Sequence, residues 1–233
     1  MSFFTNIAQH LLNLVYPKNC CICKENLIGN EEEICTACLY HIPRTNFHLQ
    51  KDNAIEKRFW GKANIERATA FFFFQKGSDF RELLHLLKYK GEQQIGVVLG
   101  KFAAADLLQS PDFSRIDFLV PVPLHPRRLR ERGFNQAEYI CKGMSEVLHI
   151  PIDTEHLMRK RNNSHQSLSQ FEQREKNVKD LFALRYPEEW KNKHVLLVDD
   201  VITSGATLMA CMKETAPVRG CRVSVFALGW AHS

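Results

Sequence analysis

Val195-Leu196-Leu197-Val198-Asp199-Asp200-Val201-Ile202-Thr203-Ser204-Gly205-Ala206-Thr207 joins an apolar run to two adjacent carboxylates and then to a turn of small and hydroxyl-bearing residues. Val195–Val198 is apolar at every position rather than at alternate ones, the pattern of a parallel strand buried on both faces. In open α/β sheets, ligands sit beyond the carboxyl ends of such strands, and Asp199 and Asp200 fall there. Thr203, Ser204, Gly205, Ala206 and Thr207 lead into a helical pattern, so the backbone N–H groups and hydroxyls of this turn can cradle a phosphate. An acid pair beside a phosphate cradle implies a ligand with both hydroxyls and a phosphate, meaning a sugar phosphate. The plainer alternative is a βα turn with a capping threonine and an incidental acid pair. A nucleotide P-loop is excluded, since no Gly-x-x-x-x-Gly-Lys-Ser/Thr segment occurs.

Working outward, residues 67–233 alternate strand-like and helix-like patterns, which predicts an α/β domain. The expected strands are Ala68–Phe74, Phe118–Val122, His194–Val198 and Val223–Leu228. The expected helices are Phe80–Lys88, Ile95–Leu108, Asn135–Leu148 and Ala206–Thr215. The polar run Arg161–Val178 reads as a long functional loop. Residues 1–66 differ, with short polar turns and five of the eight cysteines. That contrast predicts two units, 1–66 and 67–233.

A second anion site is expected at Val120-Pro121-Val122-Pro123-Leu124-His125-Pro126-Arg127-Arg128-Leu129-Arg130-Glu131-Arg132-Gly133-Phe134-Asn135-Gln136. The prolines resist regular structure and predict an extended loop. Gly133 allows close backbone approach, and Asn135 is placed to cap the next helix. The four arginines suit a diphosphate, which guanidinium groups hold by charge-assisted bonds. The alternative is a solvated basic loop. The chain carries a net charge of +5, concentrated here and in Arg159-Lys160-Arg161. A local excess of this kind marks sites for polyanions rather than a uniformly basic surface.

Cys20-x-x-Cys23 and Cys35-x-x-Cys38 are knuckle-spaced pairs suited to tetrahedral zinc. A segment this short buries little apolar surface, so a metal staple favours its folding. Disulfides are the alternative, and nothing in the sequence suggests secretion. Cys21 adjoins a proposed ligand and leaves an ambiguity, and His41 is a substitute ligand by position. Cys141, Cys211 and Cys221 read as core thiols. No apolar run approaches the ~20 residues of a membrane span. Phe3–Val15 is apolar at helical spacing without signal-peptide features, which predicts a docked helix, with a surface-membrane anchor as the other reading. A cytoplasmic location is expected.

Val195–Thr207 resembles the phosphoribosyl-diphosphate (PRPP) signature of type I phosphoribosyltransferases. The order of motifs along the chain resembles the ComF family in particular: the four cysteines, Leu87-Lys88-Tyr89-Lys90-Gly91, Pro121–Gln136, the Arg161–Ser169 segment with Arg174 and Asn177, and the Asp-Asp signature. Cys21 is extra, and Ser204 stands where many relatives have Thr. The resemblance implies a type I phosphoribosyltransferase fold, a parallel sheet flanked by helices, with a small N-terminal four-cysteine zinc module. It also implies a link to DNA uptake and natural transformation beside a helicase-like ATPase in the cytoplasm.

The resemblance further implies roles for single residues. Asp199 and Asp200 would be catalytic, holding the ribose hydroxyls and magnesium. Thr203, Ser204, Gly205, Ala206 and Thr207 would bind the 5-phosphate, and Arg127, Arg128, Arg132 and Lys88 the diphosphate. Cys20, Cys23, Cys35 and Cys38 would hold structural zinc. The loop from His165 to Arg174 would close over the sugar, with His165 a proton-transfer or hydrogen-bonding group. The expected activity is transfer of 5-phosphoribosyl from PRPP to a nitrogenous acceptor. The rival reading is a non-catalytic adaptor that binds single-stranded DNA and the ATPase, with the PRPP site a sensor or relic. Phe134, Tyr139, Phe47 and Trp60 are its stacking aromatics. A homodimer is left open.

Overall fold

The computed structural model describes residues 18–74, 80–88, 92–160 and 181–231. The Phe3–Val15 helix, Tyr89–Gly91 and the Arg161–Val178 loop, including His165, Arg174 and Asn177, lie outside the described residues.

The core is a four-stranded parallel sheet in the order β1-β6-β5-β2, with β1 Ala68–Phe74, β2 Phe118–Pro121, β5 His194–Ile202 and β6 Arg222–Ala231. β3 (Leu157–Arg159) and β4 (Phe182–Leu184) form a separate antiparallel ribbon. The helices are α1 Thr36–His41, α2 Ala54–Phe59, α3 Phe80–Leu86, α4 Gln93–Leu107, α5 Pro126–Arg132, α6 Gln136–Leu148 and α7 Ala206–Thr215. Helices therefore flank a parallel sheet and a four-cysteine cluster lies in the N-terminal part, as expected of the fold class.

β5 is apolar at every position because both of its faces are covered. Leu196 and Val198 pack into one core cluster with Ile140, Cys141 and Met144 of α6. Val195 and Leu197 pack into the other with Leu208, Cys211 and Met212 of α7. The neighbours β2 and β5 thus send their following helices to opposite faces of the sheet. Two adjacent strands whose chains diverge this way leave a crevice at their carboxyl ends, the usual ligand position in open α/β sheets.

Residues 18–66 are built into both clusters. Cys20, Ile34, Cys35, Leu39 and Ile42 join one, and Phe47, Ile55 and Phe59 the other. Residues 43–45 run along the outer edge of β1, where Thr45 N donates to Phe71 O at 3.1 Å and Phe73 N to Pro43 O at 2.8 Å. This covers an edge that would otherwise expose unpaired backbone groups. Asn53 caps α2 with a capping box and donates to Ala68 O at 2.8 Å. Glu56 receives Arg67 Nε at 2.7 Å.

Candidate functional site

Pairing of β5 with β2 ends at Val198, which faces Pro121, and Val122 N closes the ladder on Val198 O at 2.8 Å. Beyond it Pro123 has no N–H to donate, so the chain leaves the sheet. β5 continues to Ile202, and the acid pair therefore lies within the strand end rather than past it, as the shorter expected strand had implied. A cleft of about 190 Å³ opens where the two chains separate. Asp199, Asp200 and Thr207 line it together with Arg128, Asn135 and Gln136, and the ribbon contributes Arg159.

The acids face different surroundings. The Asp199 carboxyl is pushed up to about 8, first by burial and then by the Asp200 charge, although it accepts the Asp200 N–H at 2.9 Å. The field of Asp200 in turn reaches Arg132. Two adjacent carboxylates, one of them desolvated, repel each other and favour a ligand that brings a cation or hydroxyl donors. That chemistry fits magnesium with a sugar diol.

The turn from Thr203 to Gly205 precedes α7, and Gly205 takes the N-cap position at φ 77° with no side-chain cap. Ser204 Oγ accepts Ala206 N at 3.4 Å. Thr203 and Ser204 are exposed and Thr207 is half-buried. Of this turn, Thr207 lines the cleft.

The arginine segment differs from the expected extended loop. Residues 126–132 form a short helix because Pro126 sits at its first turn, where a missing N–H costs nothing, and His125 Nδ1 accepts Arg127 N at 3.2 Å. Gly133 closes the helix at φ 81°. No heavy atom lies within 4 Å of a Cβ built there, so this glycine serves the turn and not a close approach. Helical geometry sends adjacent arginines in different directions. Arg128 lines the cleft, whereas Arg127 turns to Glu131, with Nε donating at 2.8 Å, and is largely exposed. Arg132 donates to Gln136 Oε1 at 2.9 Å. Asn135 caps α6 by accepting Ala137 N at 3.2 Å and donates to Val122 O at 3.1 Å, fixing the cleft wall. Lys88 lies in the turn after α3 and is not part of the cleft lining.

Asn135 and Gln136 end the segment expected to hold an anion but carry no ligand role in that expectation, and Arg159 stands outside the segment. Arg159 was visible only as part of a basic run, since nothing in its spacing ties it to Asp199.

In the N-terminal part, the Sγ atoms of Cys20, Cys23, Cys35 and Cys38 all lie within 4.8 Å of one another. Cys23 and Cys35 sulfurs are 3.7 Å apart, close to the ~3.8 Å edge of a tetrahedron built on Zn–S bonds. Cys35 N donates to Cys20 Sγ at 3.3 Å and Cys38 N to Cys35 Sγ at 3.4 Å, contacts that stabilise thiolates. Burial pushes the Cys20 thiol up, but backbone N–H groups of Cys35, Cys23 and Ile22 outweigh it and bring it to about 7. These four cysteines can hold a metal ion. Cys21 lies outside the group, with its thiol pushed up to about 12 by burial and the Cys20 charge. His41 also lies outside it, its Nδ1 2.7 Å from Ala37 O. Cys141 and Cys211 are core thiols, while Cys221 is partly exposed at the turn before β6.

Of the four aromatics expected to stack on DNA, Phe47 and Phe134 are buried and Tyr139 packs edge-on against Phe134. Trp60 is exposed. Among the described residues no helix is long and apolar enough to cross a membrane.

No family model matches the chain. The chain is 27% identical over 210 residues to the DNA utilization protein YhgH of Escherichia coli (strain K12), covering 84% of this chain and 89% of that protein. It is 30% identical over 130 residues to competence protein F of Haemophilus influenzae, covering 54% of this chain and 57% of that protein. Among solved structures, the allosteric regulatory enzyme of purine biosynthesis superposes over 70% of this chain and 30% of its own, with a TM-score of 0.40 and 18% identity.

Proposed function

We propose, because the chain belongs to the ComF/YhgH family, that it binds PRPP in the cleft at the end of β5 and transfers 5-phosphoribosyl to a nitrogenous acceptor. The names of its relatives, a DNA utilization protein and a competence protein, support a role linked to competence or DNA utilization. The observation that carries the reading is the convergence of Asp199, Asp200, Thr207 and Arg128 on one cleft at a strand divergence.

In this reading Asp199 and Asp200 hold the ribose hydroxyls and magnesium, whose charge, when bound, offsets that of the departing diphosphate. Thr203–Thr207 hold the 5-phosphate, and Arg128 and Arg132 lie on the diphosphate side. The bond from ribose C1 to the diphosphate oxygen breaks with its electron pair on the diphosphate. An acceptor nitrogen then gives its lone pair to C1 and releases a proton. The protein's residues act by positioning and electrostatics.

Cys20, Cys23, Cys35 and Cys38 hold zinc structurally, within an N-terminal unit, 1–66, packed on a transferase unit, 67–233. A cytoplasmic setting, which keeps thiols reduced and able to hold a metal, is part of this reading.

Calorimetry with PRPP and magnesium tests this reading: the unmutated protein binds, and Asp200→Asn weakens binding by at least about tenfold. Absence of PRPP binding by the unmutated protein would overturn it.

A second reading, an adaptor for single-stranded DNA and a helicase-like ATPase, is supported by α5, which has no buried residue and carries four arginines. Titrating single-stranded DNA over rising salt tests it. Phosphate contacts give a linear fall of log K with log salt, and no binding at low salt removes the DNA contact.

A further inference from the structure

The amino ends of the strands carry a second concavity, remote from the cleft. A strand rises about 3.3 Å per residue, so the nine residues of β5 put His194 roughly 26 Å from Ile202. A cavity of about 470 Å³ opens at His194 and is lined by Lys51, Arg115 and Arg222. Another, of about 310 Å³, opens beside Trp60. Asp52, Glu56 and Glu66 line both, so the two adjoin as one groove. Cations stand at one end, carboxylates in the middle and an aromatic ring at the other end. Volumes of this size are those of small-ligand clefts.

The floor of the groove is already neutralised. Arg67 is buried and commits all three nitrogens, Nε to Glu56 at 2.7 Å, Nη1 to Asp112 and Nη2 to Gln50 O at 2.7 Å. Lys51, Arg115 and Arg222 remain against Asp52 and Glu66, and none of these five makes an ion pair among the described residues. The sheet fixes where the two arginines start. Arg222 faces His194 in the β5–β6 register, and the carbonyl of Arg115 lies 3.1 Å from His194 Nδ1. A carbonyl only accepts, so Nδ1 carries the proton and Nε2 accepts from Ser224 Oγ at 2.8 Å. Burial and then the Arg222 charge hold the His194 pKa below its ordinary value, so this ring brings the arginine backbones together without adding a charge. At the far end Trp60 is 56% exposed and offers a flat apolar face.

Each part of the groove matches one part of a nucleotide. Guanidinium groups hold phosphate by charge-assisted bonds, carboxylates accept sugar hydroxyls, and aromatic rings stack bases. A sugar phosphate would leave Trp60 unused, and a nucleoside would leave the arginines unused. We propose that this groove at the amino ends of β5 and β6 binds a free nucleotide, with its phosphate on Arg115 and Arg222, its sugar hydroxyls on Glu66 and Asp52, and its base on Trp60. The groove shares no lining residue with the cleft at the carboxyl ends, so it stands apart from the PRPP reading.

The test is calorimetry on the full chain with AMP, adenosine, ribose 5-phosphate and a short oligodeoxyadenylate. It is repeated on Arg115→Gln, Arg222→Gln, Trp60→Ala, Trp60→Phe and Asp200→Asn, with the Tm of each variant as a check on folding. AMP should bind at least about tenfold more tightly than adenosine or ribose 5-phosphate. Arg115→Gln and Arg222→Gln should each weaken AMP binding by about tenfold, and Trp60→Ala by at least about fivefold. Trp60→Phe should keep most of it, because a ring remains to stack on. Asp200→Asn should leave AMP binding within about twofold, since distant sites act independently. AMP binding that is lost in Asp200→Asn and kept in folded Arg222→Gln would put the nucleotide in the cleft and overturn the proposal. Binding of the oligodeoxyadenylate but not of AMP would make the groove a strand contact and overturn it too, as would absence of AMP binding by the unmutated protein.

Discussion

Gly205 rests against Phe59: a Cβ at Gly205 would lie 3.2 Å from Phe59 Cε1 and 3.3 Å from Cζ. A ring from the end of α2, in the N-terminal part, thus supports the turn that precedes α7. Phe59 is fully buried. The shape of the proposed phosphate turn therefore depends on a segment remote in sequence from the sheet that carries the acids.

Phe59→Ala should lower stability by about 3–5 kcal/mol, as expected for emptying a buried aromatic site, and weaken ligand binding further than Asp-pair chemistry alone accounts for. Phe59→Leu should retain most of both. Urea unfolding and PRPP calorimetry would measure this, and unchanged binding by folded Phe59→Ala would show that the turn holds its shape alone.

The α4–α6 crossing is set by two glycines. A Cβ at Gly143 would lie 2.0 Å from Val97 O, and one at Gly100 2.3 Å from Ile140 O. These obstacles are backbone atoms and cannot rotate aside. Gly143→Ala should destabilise by about 1–3 kcal/mol despite the better helix propensity of alanine. A Tm at or above that of the unmutated protein would contradict the packing argument.

Metal removal should act on the core as well as on the knuckles, because Cys20 and Cys35 belong to the same cluster as β5 and α6. The protein should carry one zinc per chain by elemental analysis, with a binding energy coupled to folding of about 10–16 kcal/mol. A chelator or Cys35→Ser should lower the Tm markedly, and Cys21→Ser should keep the metal. Purified protein without zinc, and indifferent to chelator, would eliminate the structural site.

His156 joins the start of the ribbon to the turn after β4, with Nδ1 2.8 Å from Asp153 Oδ2 and Nε2 3.1 Å from Glu189 Oε2. Trp190 Nε1 also donates to Asp153 at 2.8 Å. Burial opposes the imidazolium, but the Asp153 carboxylate beside Nδ1, then Glu189 at Nε2, outweigh it and hold its pKa above the ordinary 6.5. The folded state therefore binds a proton more tightly than the unfolded chain. Its contribution is complete below 6.5 and is lost as pH rises through the folded value. Asp153 behaves oppositely: burial raises it, but bonds from His156, Trp190 and Glu155 hold it below its usual range, so its contribution fades in acid. His156→Gln should flatten the fall in stability above pH 6.5 while leaving the acid limb. A Tm-against-pH profile with the same alkaline slope in both proteins would refute this.

Much of the fold was legible in single segments. The uninterrupted apolar run of β5 marks a doubly covered strand, and the turn before Ala206 marks a helix start. Both follow from local patterning; the helix begins at Ala206 as expected, whereas β5 runs four residues past its expected end, to Ile202. The helix at Pro126–Arg132 was legible too, through Pro126 at a first turn behind a capping His125, but the surrounding prolines favoured the loop reading. That choice hid the divergence of Arg127 and Arg128, since neighbours on a helix point about 100° apart.

By itself the sequence determined the composition of the site: an acid pair at a strand end, a small-residue turn, an arginine cluster and four spaced cysteines. Each depends only on neighbours along the chain. Tertiary structure decided which of these groups share a space. The cleft exists because β2 and β5 send α6 and α7 to opposite faces, a property of sheet order that no single segment encodes. Arg159 shares the cleft with Asp199, 40 positions further along the chain, only because the β3–β4 ribbon brings it there, with its guanidinium over the Phe182 ring. Burial, which raises the Asp199 carboxyl and leaves Gln136 Nε2 and Arg159 Nε without partners, arises only when distant segments exclude water together.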